Sequence, residues 1–194
     1  SRPLTILVSA VGAPGAARLL RGLRENGERE VRLVGTDMGE RAIGRHLCDA
    51  FHRVPAGGSP AFADTVLDIC RRERVDVVLP ESSFDLEGLA HARERFAAEG
   101  IAVMVSSPES IVRANDKGSA TELLERLGLP APRSIRATGA AQVEAAALAL
   151  GYPDVPVCFK PVFGSGSRGF RILDPTVDRA HQLLYEKPGA VALR

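Results

Sequence analysis

This chain has few cysteines, no long apolar run and almost no net charge, and each of these absences excludes a class of protein. Its 194 residues include three cysteines, Cys48, Cys70 and Cys158, whose odd number and wide spacing argue against a disulfide framework. No apolar run approaches the ~20 residues that a membrane helix needs. With 25 basic and 24 acidic residues the formal net charge is +1, so no bulk field attracts nucleic acid or anionic lipid. We therefore expect a cytoplasmic chain with reduced thiols that binds neither a membrane nor a nucleic acid, and we expect Cys158, on a strand, to be buried.

Segments with the spacing of strands alternate with segments that have the spacing of helices, which predicts an α/β fold with a mostly parallel sheet covered on both faces. Residues 1–113 are predicted to form an open, Rossmann-like sheet domain, and residues 114–194 a second, smaller unit. Strands are expected at 4–9, 31–36, 50–54, 75–79, 101–105, 157–159 and 170–173. In the second unit, Thr138 is expected to cap a helix, and another helix is expected to begin at Asp174 and Pro175.

A glycine-rich segment between the last two predicted strands has the composition of a phosphate cradle. Three glycines, which permit positive φ and close approach of backbone N–H groups to an anion, alternate with small or basic residues; the run is Gly164, Ser165, Gly166, Ser167, Arg168 and Gly169. Lys160 stands at the end of the strand that leads into the loop. The segment is neither a P-loop nor a dinucleotide fingerprint, because a strand follows it. An alternative interpretation is a surface hairpin with a mobile tip.

A second basic residue stands at a predicted helix entrance upstream. Asn115, Asp116 and Lys117 precede a helix whose apolar residues recur at helical spacing. A lysine is unfavourable there, because a helix N-terminus already carries partial positive charge, unless the two share an anion. A solvated surface lysine is the alternative.

Together, Asn115-Asp116-Lys117 and the stretch from Phe159-Lys160-Pro161 to Gly169 resemble the ATP-grasp superfamily, and the order of elements along the whole chain is similar to biotin carboxylase and carbamoyl-phosphate synthase large subunits. The resemblance implies an ATP-dependent carboxylate-amine ligase that uses ATP and Mg²⁺. It implies that Lys117, Lys160, Gly164, Ser165, Gly166, Ser167, Arg168 and Gly169 contact the nucleotide. The chain departs from the superfamily pattern after the loop, since the second half of an ATP-grasp domain, which supplies the metal ligands, is absent from the sequence.

In relatives of this type the first domain helps to bind the non-nucleotide substrate, so the resemblance implies a similar use here. Two polar segments follow predicted strands, at the edge where open α/β sheets bind ligands. Their residues are Gly12, Gly15, Glu81, Ser82 and Asp85. The alternative is a turn followed by a helix cap at Ser83 or Asp85.

No nucleophile or general base is predicted in this chain, and neither is a metal site. We prefer a loop and a strand to a metal site at His46, Cys48 and His52, and we interpret Asp174 as a helix cap and Asp178 and Glu186 as solvated. These 194 residues are expected to be inactive alone, with a carboxylate and an amine as the intact protein's substrates. The other half of the ATP-grasp domain would be joined in cis or in trans. The sequence leaves open whether the chain forms a homodimer. A non-catalytic nucleotide- or dinucleotide-binding module using residues 12–15 and Asp37 is the alternative function.

Overall fold

The structure, a computed structural model, describes residues 2–164, 166, 168–177 and 191–193, the last three by their backbone alone. The chain divides into two compact units, Ser1–Val112 and Arg113–Arg194. We refer to them as unit 1 and unit 2.

Unit 1 contains a five-stranded parallel sheet, which confirms the predicted α/β class. Its strands are β1 Leu4–Val8, β2 Val31–Asp37, β3 Ala50–Arg53, β4 Val77–Leu79 and β5 Ala102–Val103. They lie in the order β3-β2-β1-β4-β5, and Val8 pairs with Gly35 on one side and with Leu79 on the other. The strand order reverses between β1 and β4, so the loops that follow these two strands diverge there, as at the ligand-binding crevice of open α/β sheets.

Helices cover both faces of this sheet because successive strand residues point to opposite sides. The helices are α1 Ala16–Arg24, α2 Phe62–Glu73 and α3 Ser83–Ala97, with a 3₁₀ segment at Ile43–Leu47. On one face, Ile6 and Val8 pack with Leu20 of α1. On the other face, Leu7 packs with residues of α2 and α3, including Phe62 and Phe96, which are fully buried.

In its described residues, unit 2 contains a β-hairpin, a third strand and two helices of its own. Helix α4 Pro108–Asn115 joins the units in the chain, followed by α5 Lys117–Arg126 and α6 Ala140–Leu150. Strands β6 Val157–Phe159 and β7 Arg171–Leu173 pair antiparallel, and β8 Val191–Leu193 adds to β7 in parallel. Because the β6–β7 ladder has only three residue pairs, the long loop between them begins directly at Lys160.

Two expectations about local structure need correction, and a third concerns residues that the structure does not describe. The N-cap of α6 is Gly139 rather than Thr138, whose backbone N–H instead donates to Gln142 Oε1 at 2.9 Å. Cys158 is exposed, because it lies on a strand of the small sheet rather than in a two-sided core. The helix predicted after Asp174 falls outside the described residues. Within the described part of the chain, no helix is long and apolar enough to cross a membrane.

Candidate functional site

The glycine-rich loop of unit 2 connects β6 to β7 as a hairpin with unusual backbone angles. Phe159 pairs with Arg171, and beyond that pair the chain opens into the loop. Gly164, Gly166 and Gly169 have φ of 141°, 64° and 79°, which side chains with a Cβ rarely adopt. At Gly169 there is a second constraint, since a Cβ would lie 2.6 Å from Cγ of Pro161. The loop conformation therefore depends on glycine at these positions.

A cavity of about 180 Å³ lies under this loop and collects the basic side chains of the region. Its lining residues are Lys117, Lys160, Pro161, Gly164, Gly166, Arg168 and Phe170. The volume is below the ~300 Å³ at the small end of pockets for whole organic ligands, which suits a phosphate chain better than a complete nucleotide. Among the described residues, three cations and no carboxylate line it, so its electrostatics favour an anion.

Lys117 reaches the loop from the start of α5. Its Nζ donates to the carbonyl oxygens of Gly164 at 2.9 Å and Val162 at 3.3 Å, and its backbone N–H donates to the same Val162 oxygen at 3.2 Å. The ammonium group is therefore held at the loop by neutral carbonyls, and no carboxylate is paired with it by a described contact. Its positive charge stays available to an anion in the cavity.

The entrance of α5 is fixed by a carboxylate and a guanidinium. Asp116 is the N-cap, and its Oδ1 accepts from the Ser119 N–H at 2.8 Å. Arg136 donates to both Asp116 oxygens, at 3.0 Å to Oδ1 and 3.5 Å to Oδ2. The Ser119 N–H, and then Arg136, hold the pKa of Asp116 below its ordinary value. The carboxylate thus stays ionised beside Lys117.

The structure brings five of the eight predicted nucleotide contacts together at one cavity: Lys117, Lys160, Gly164, Gly166 and Arg168. Gly169 shapes the loop without lining the cavity, and Ser165 and Ser167 lie outside the described residues. Sequence reasoning missed Phe170 in the cavity wall and Arg136 at the α5 entrance. Phe170 carried a signal, since it directly follows the loop. Arg136 carried none, because its partner is 20 positions away.

In unit 1, the loop after β1 is bound by the protein's own carboxylate. Asp37, at the end of β2, accepts from the Gly12 N–H at 2.8 Å through Oδ2 and from the Gly39 N–H at 2.7 Å through Oδ1. Both oxygens therefore stabilise backbone. The Gly12 N–H, which a bound phosphate would need, already has a partner.

The three predicted residues after β4, Glu81, Ser82 and Asp85, have different roles. Glu81 lies against the start of α1, since a Cβ on Gly15 would be 2.7 Å from its Oε1. Ser82, rather than Ser83 or Asp85, is the N-cap of α3 and accepts from the Phe84 N–H at 3.2 Å. The predicted substrate residues Gly12, Gly15 and Glu81 thus border one loop, whereas Ser82 serves a helix end.

Asp85 is a buried carboxyl in this segment. It is 5% exposed, and the Ser9 hydroxyl donates to its Oδ2 at 2.5 Å. Burial raises the pKa of Asp85; the Ser9 hydrogen bond opposes this, and the charge of Asp37 adds to it. Its position beneath the loop after β1 makes it a support for the crevice rather than an exposed ligand.

Within the described residues, no metal cluster is found, and none of the predicted site residues lines the cavity of unit 1. In the described ranges, no three His, Cys, Asp or Glu side chains are grouped closely enough to hold a metal ion. His52 is instead paired with Glu73, 2.7 Å from its Nε2. A cavity of about 470 Å³ lies in unit 1 between the loop at Gly57 and α3, and no predicted site residue lines it.

Comparison with known proteins shows the family of the chain and similar proteins. Residues 6–104 match the family model "PylC-like, N-terminal domain". The carbamoyl phosphate synthase large chain of Mycobacterium tuberculosis is 38% identical over 107 residues, which are 52% of this chain and 9% of that protein. A formate-dependent phosphoribosylglycinamide formyltransferase from Synechococcus is 31% identical over 170 residues, 80% of this chain and 39% of that protein.

The fold is similar to that of N5-carboxyaminoimidazole synthetase from Staphylococcus aureus, whose structure is a complex with ADP. The TM-score is 0.63 at 18% identity, covering 89% of this chain and 42% of the other. The chain therefore spans less than half of the length of these relatives. These similarities confirm the predicted resemblance to ATP-grasp carboxylate-amine ligases.

Proposed function

Because this chain belongs to the PylC-like N-terminal domain family, we propose that it is the first part of an ATP-dependent ligase of the ATP-grasp type. The intact protein activates a carboxylate as an acyl phosphate, which an amine or ammonia then attacks. Unit 1 is the domain that precedes the ATP-grasp domain, and unit 2 is the N-terminal subdomain of the ATP-grasp domain itself.

The observation that carries this proposal is the convergence of Lys117, Lys160 and Arg168 on one cavity under a glycine loop. They come from a helix entrance, a strand end and a loop tip. Their proximity is therefore not explained by neighbouring positions within one element. Three cations in a small cavity repel one another, and an anionic ligand offsets that repulsion. A polyphosphate is the anion whose charge and chain shape match this arrangement.

In the proposed reaction, the residues of this chain bind and orient the phosphates. Lys117 and Lys160 offset phosphate charge from two sides, and Arg168 at the loop tip provides a planar fork for phosphate oxygens. The loop over the cavity excludes water from the transferred group.

Mg²⁺, when bound, supplies further charge neutralisation between the phosphates. We place its ligands outside the described residues, in the part that the longer relatives have beyond the matched region, whether in the same polypeptide or another.

A dinucleotide-binding function for unit 1 has less support. Phosphate recognition at the loop after β1 would use free N–H groups at the α1 N-terminus. Asp37 occupies the Gly12 N–H, and the Glu81 carboxylate stands beside Gly15. Two carboxylates at this position repel a phosphate.

Calorimetric titration of the chain with ATP tests the proposal. Lys160→Ala removes a charge-assisted contact and should cost about 1.5–3 kcal/mol of binding free energy, roughly a tenfold to hundredfold rise in Kd. Lys117→Ala should weaken binding in the same way.

The matched control is Arg133→Ala. Arg133 is an exposed cation of the same unit that does not line the cavity, and its described contact is 3.4 Å to the Ala149 oxygen. It should leave the affinity unchanged. Equal losses in all three variants would reduce the effect to net charge, and unchanged affinity in both lysine variants would refute the assigned site.

A further inference from the structure

Arg136 lies outside the cavity but contacts the two residues on either side of Lys117. Its guanidinium pairs with Asp116 at 3.0 Å and lies close to Gly118, where a Cβ would be 2.8 Å from its Cζ and would collide with its Nη2. The absence of a Cβ at Gly118 is what permits this position.

This contact has an electrostatic consequence for the cavity. Asp116 carries a negative charge next to Lys117, and an unpaired carboxylate at that place would offset the positive charge of the Lys117 ammonium. Arg136 offsets that charge, with Glu122 Oε1 as a weaker second partner at 3.9 Å, and the Asp116 hydrogen bond to the Ser119 N–H stays intact. The positive charge of the Lys117 ammonium is then not offset by Asp116.

We infer that Arg136 is a positioning residue for nucleotide binding, which acts through Asp116 and the α5 entrance to hold Lys117 at the glycine loop. This inference rests on the proposed function. Arg136 does not touch the phosphates; it fixes the direction of the first turn of α5 and neutralises the cap that the turn needs.

A double-mutant cycle measured by ATP titration is the decisive test. Arg136→Gln should raise the Kd about three- to fivefold, the scale of a partly exposed ion pair, and Arg136→Lys should recover part of the loss. In a Lys117→Ala background, Arg136→Gln should have no further effect, because the residue through which it acts is gone. Arg133→Gln is the matched control and should not change the Kd in either background.

Gly118→Ala separates positioning from helix stability. Alanine favours a helix by about 1 kcal/mol over glycine, yet its Cβ displaces the guanidinium. The Kd should rise as for Arg136→Gln while α5 becomes no less stable. A Gly118→Ala chain with wild-type affinity, or an Arg136 effect that persists without Lys117, would overturn the inference and leave the proposed function standing.

A readout without nucleotide distinguishes the two failures. The Ser119 amide, capped by Asp116, should exchange its hydrogen several-fold faster in Arg136→Gln than in Arg133→Gln. If Lys117→Ala binds ATP as tightly as wild type, the proposed function fails even when Ser119 responds. If Ser119 exchange is unchanged, the positioning role fails on its own.

Discussion

Replacing Gly57 by alanine should destabilise unit 1, whereas replacing the adjacent Gly58 should not. A Cβ on Gly57 would lie 2.6 Å from the carbonyl oxygen and 2.7 Å from the carbonyl carbon of Phe84, and would also collide with Asp85 Oδ1. The Phe84 atoms belong to the backbone of the first turn of α3, so the collision cannot be relieved by a side-chain rotation. A Cβ on Gly58 would meet nothing within 4 Å.

The magnitude follows from two opposing effects. Overpacking of this kind costs about 1–3 kcal/mol, and the loss of unfolded-chain entropy from glycine to alanine returns about 0.4–1 kcal/mol, since neither glycine has a positive φ. The middle of these ranges gives a loss of about 1–2 kcal/mol for Gly57→Ala. Gly58→Ala should gain up to about 1 kcal/mol.

The assay must report on unit 1 by itself. The chain has no tryptophan, and its two tyrosines, Tyr152 and Tyr185, belong to unit 2, so fluorescence follows the wrong unit. Hydrogen exchange of peptides covering β1 is suitable, because its globally protected amides should exchange about 5–30 times faster in Gly57→Ala. If both variants exchange at the same rate, the steric argument at the start of α3 is wrong.

Two further predictions concern ionisation. Arg32, and to a lesser degree His52, hold the pKa of Glu73 below its ordinary 4.5. The stabilisation from ionised Glu73 is therefore complete above about pH 4.5 and is lost as the pH falls through the lower folded pKa, so unit 1 of Glu73→Gln should lose less stability than wild type on acidification from pH 6. Hydrogen exchange corrected for the intrinsic rate measures this, and equal losses would contradict it. Burial raises the pKa of Cys48 to about 11 and that of Cys70 to about 12, whereas Cys158 is exposed. Iodoacetamide at pH 8 should therefore modify Cys158 first, as detected by mass spectrometry. Early labelling of Cys70 would show that its side of unit 1 is open to solvent.

The sequence by itself determined the elements and the chemistry of the glycine loop. The predicted strand 4–9 is observed as Leu4–Val8, and the predicted helix after Asp116 begins at Lys117. Both follow from local periodicity and capping, which need only neighbouring residues. The pairing of Lys117 and Lys160 in one site was also predictable, because both motifs were present in the order that the resemblance requires.

Only the tertiary structure decided which polar groups are free and which are occupied. Asp37 could be placed at the end of a strand, but its hydrogen bonds to Gly12 and Gly39 depend on β2 lying beside β1. Arg136 could not be linked to Asp116, since the contact spans 20 residues and depends on the bare backbone of Gly118. Cys158 lies on the strand where the sequence predicts it, yet the exposure of its side chain depends on what packs against the small sheet. Such contacts are set by how elements cross in space, and the local pattern of residues does not contain that information.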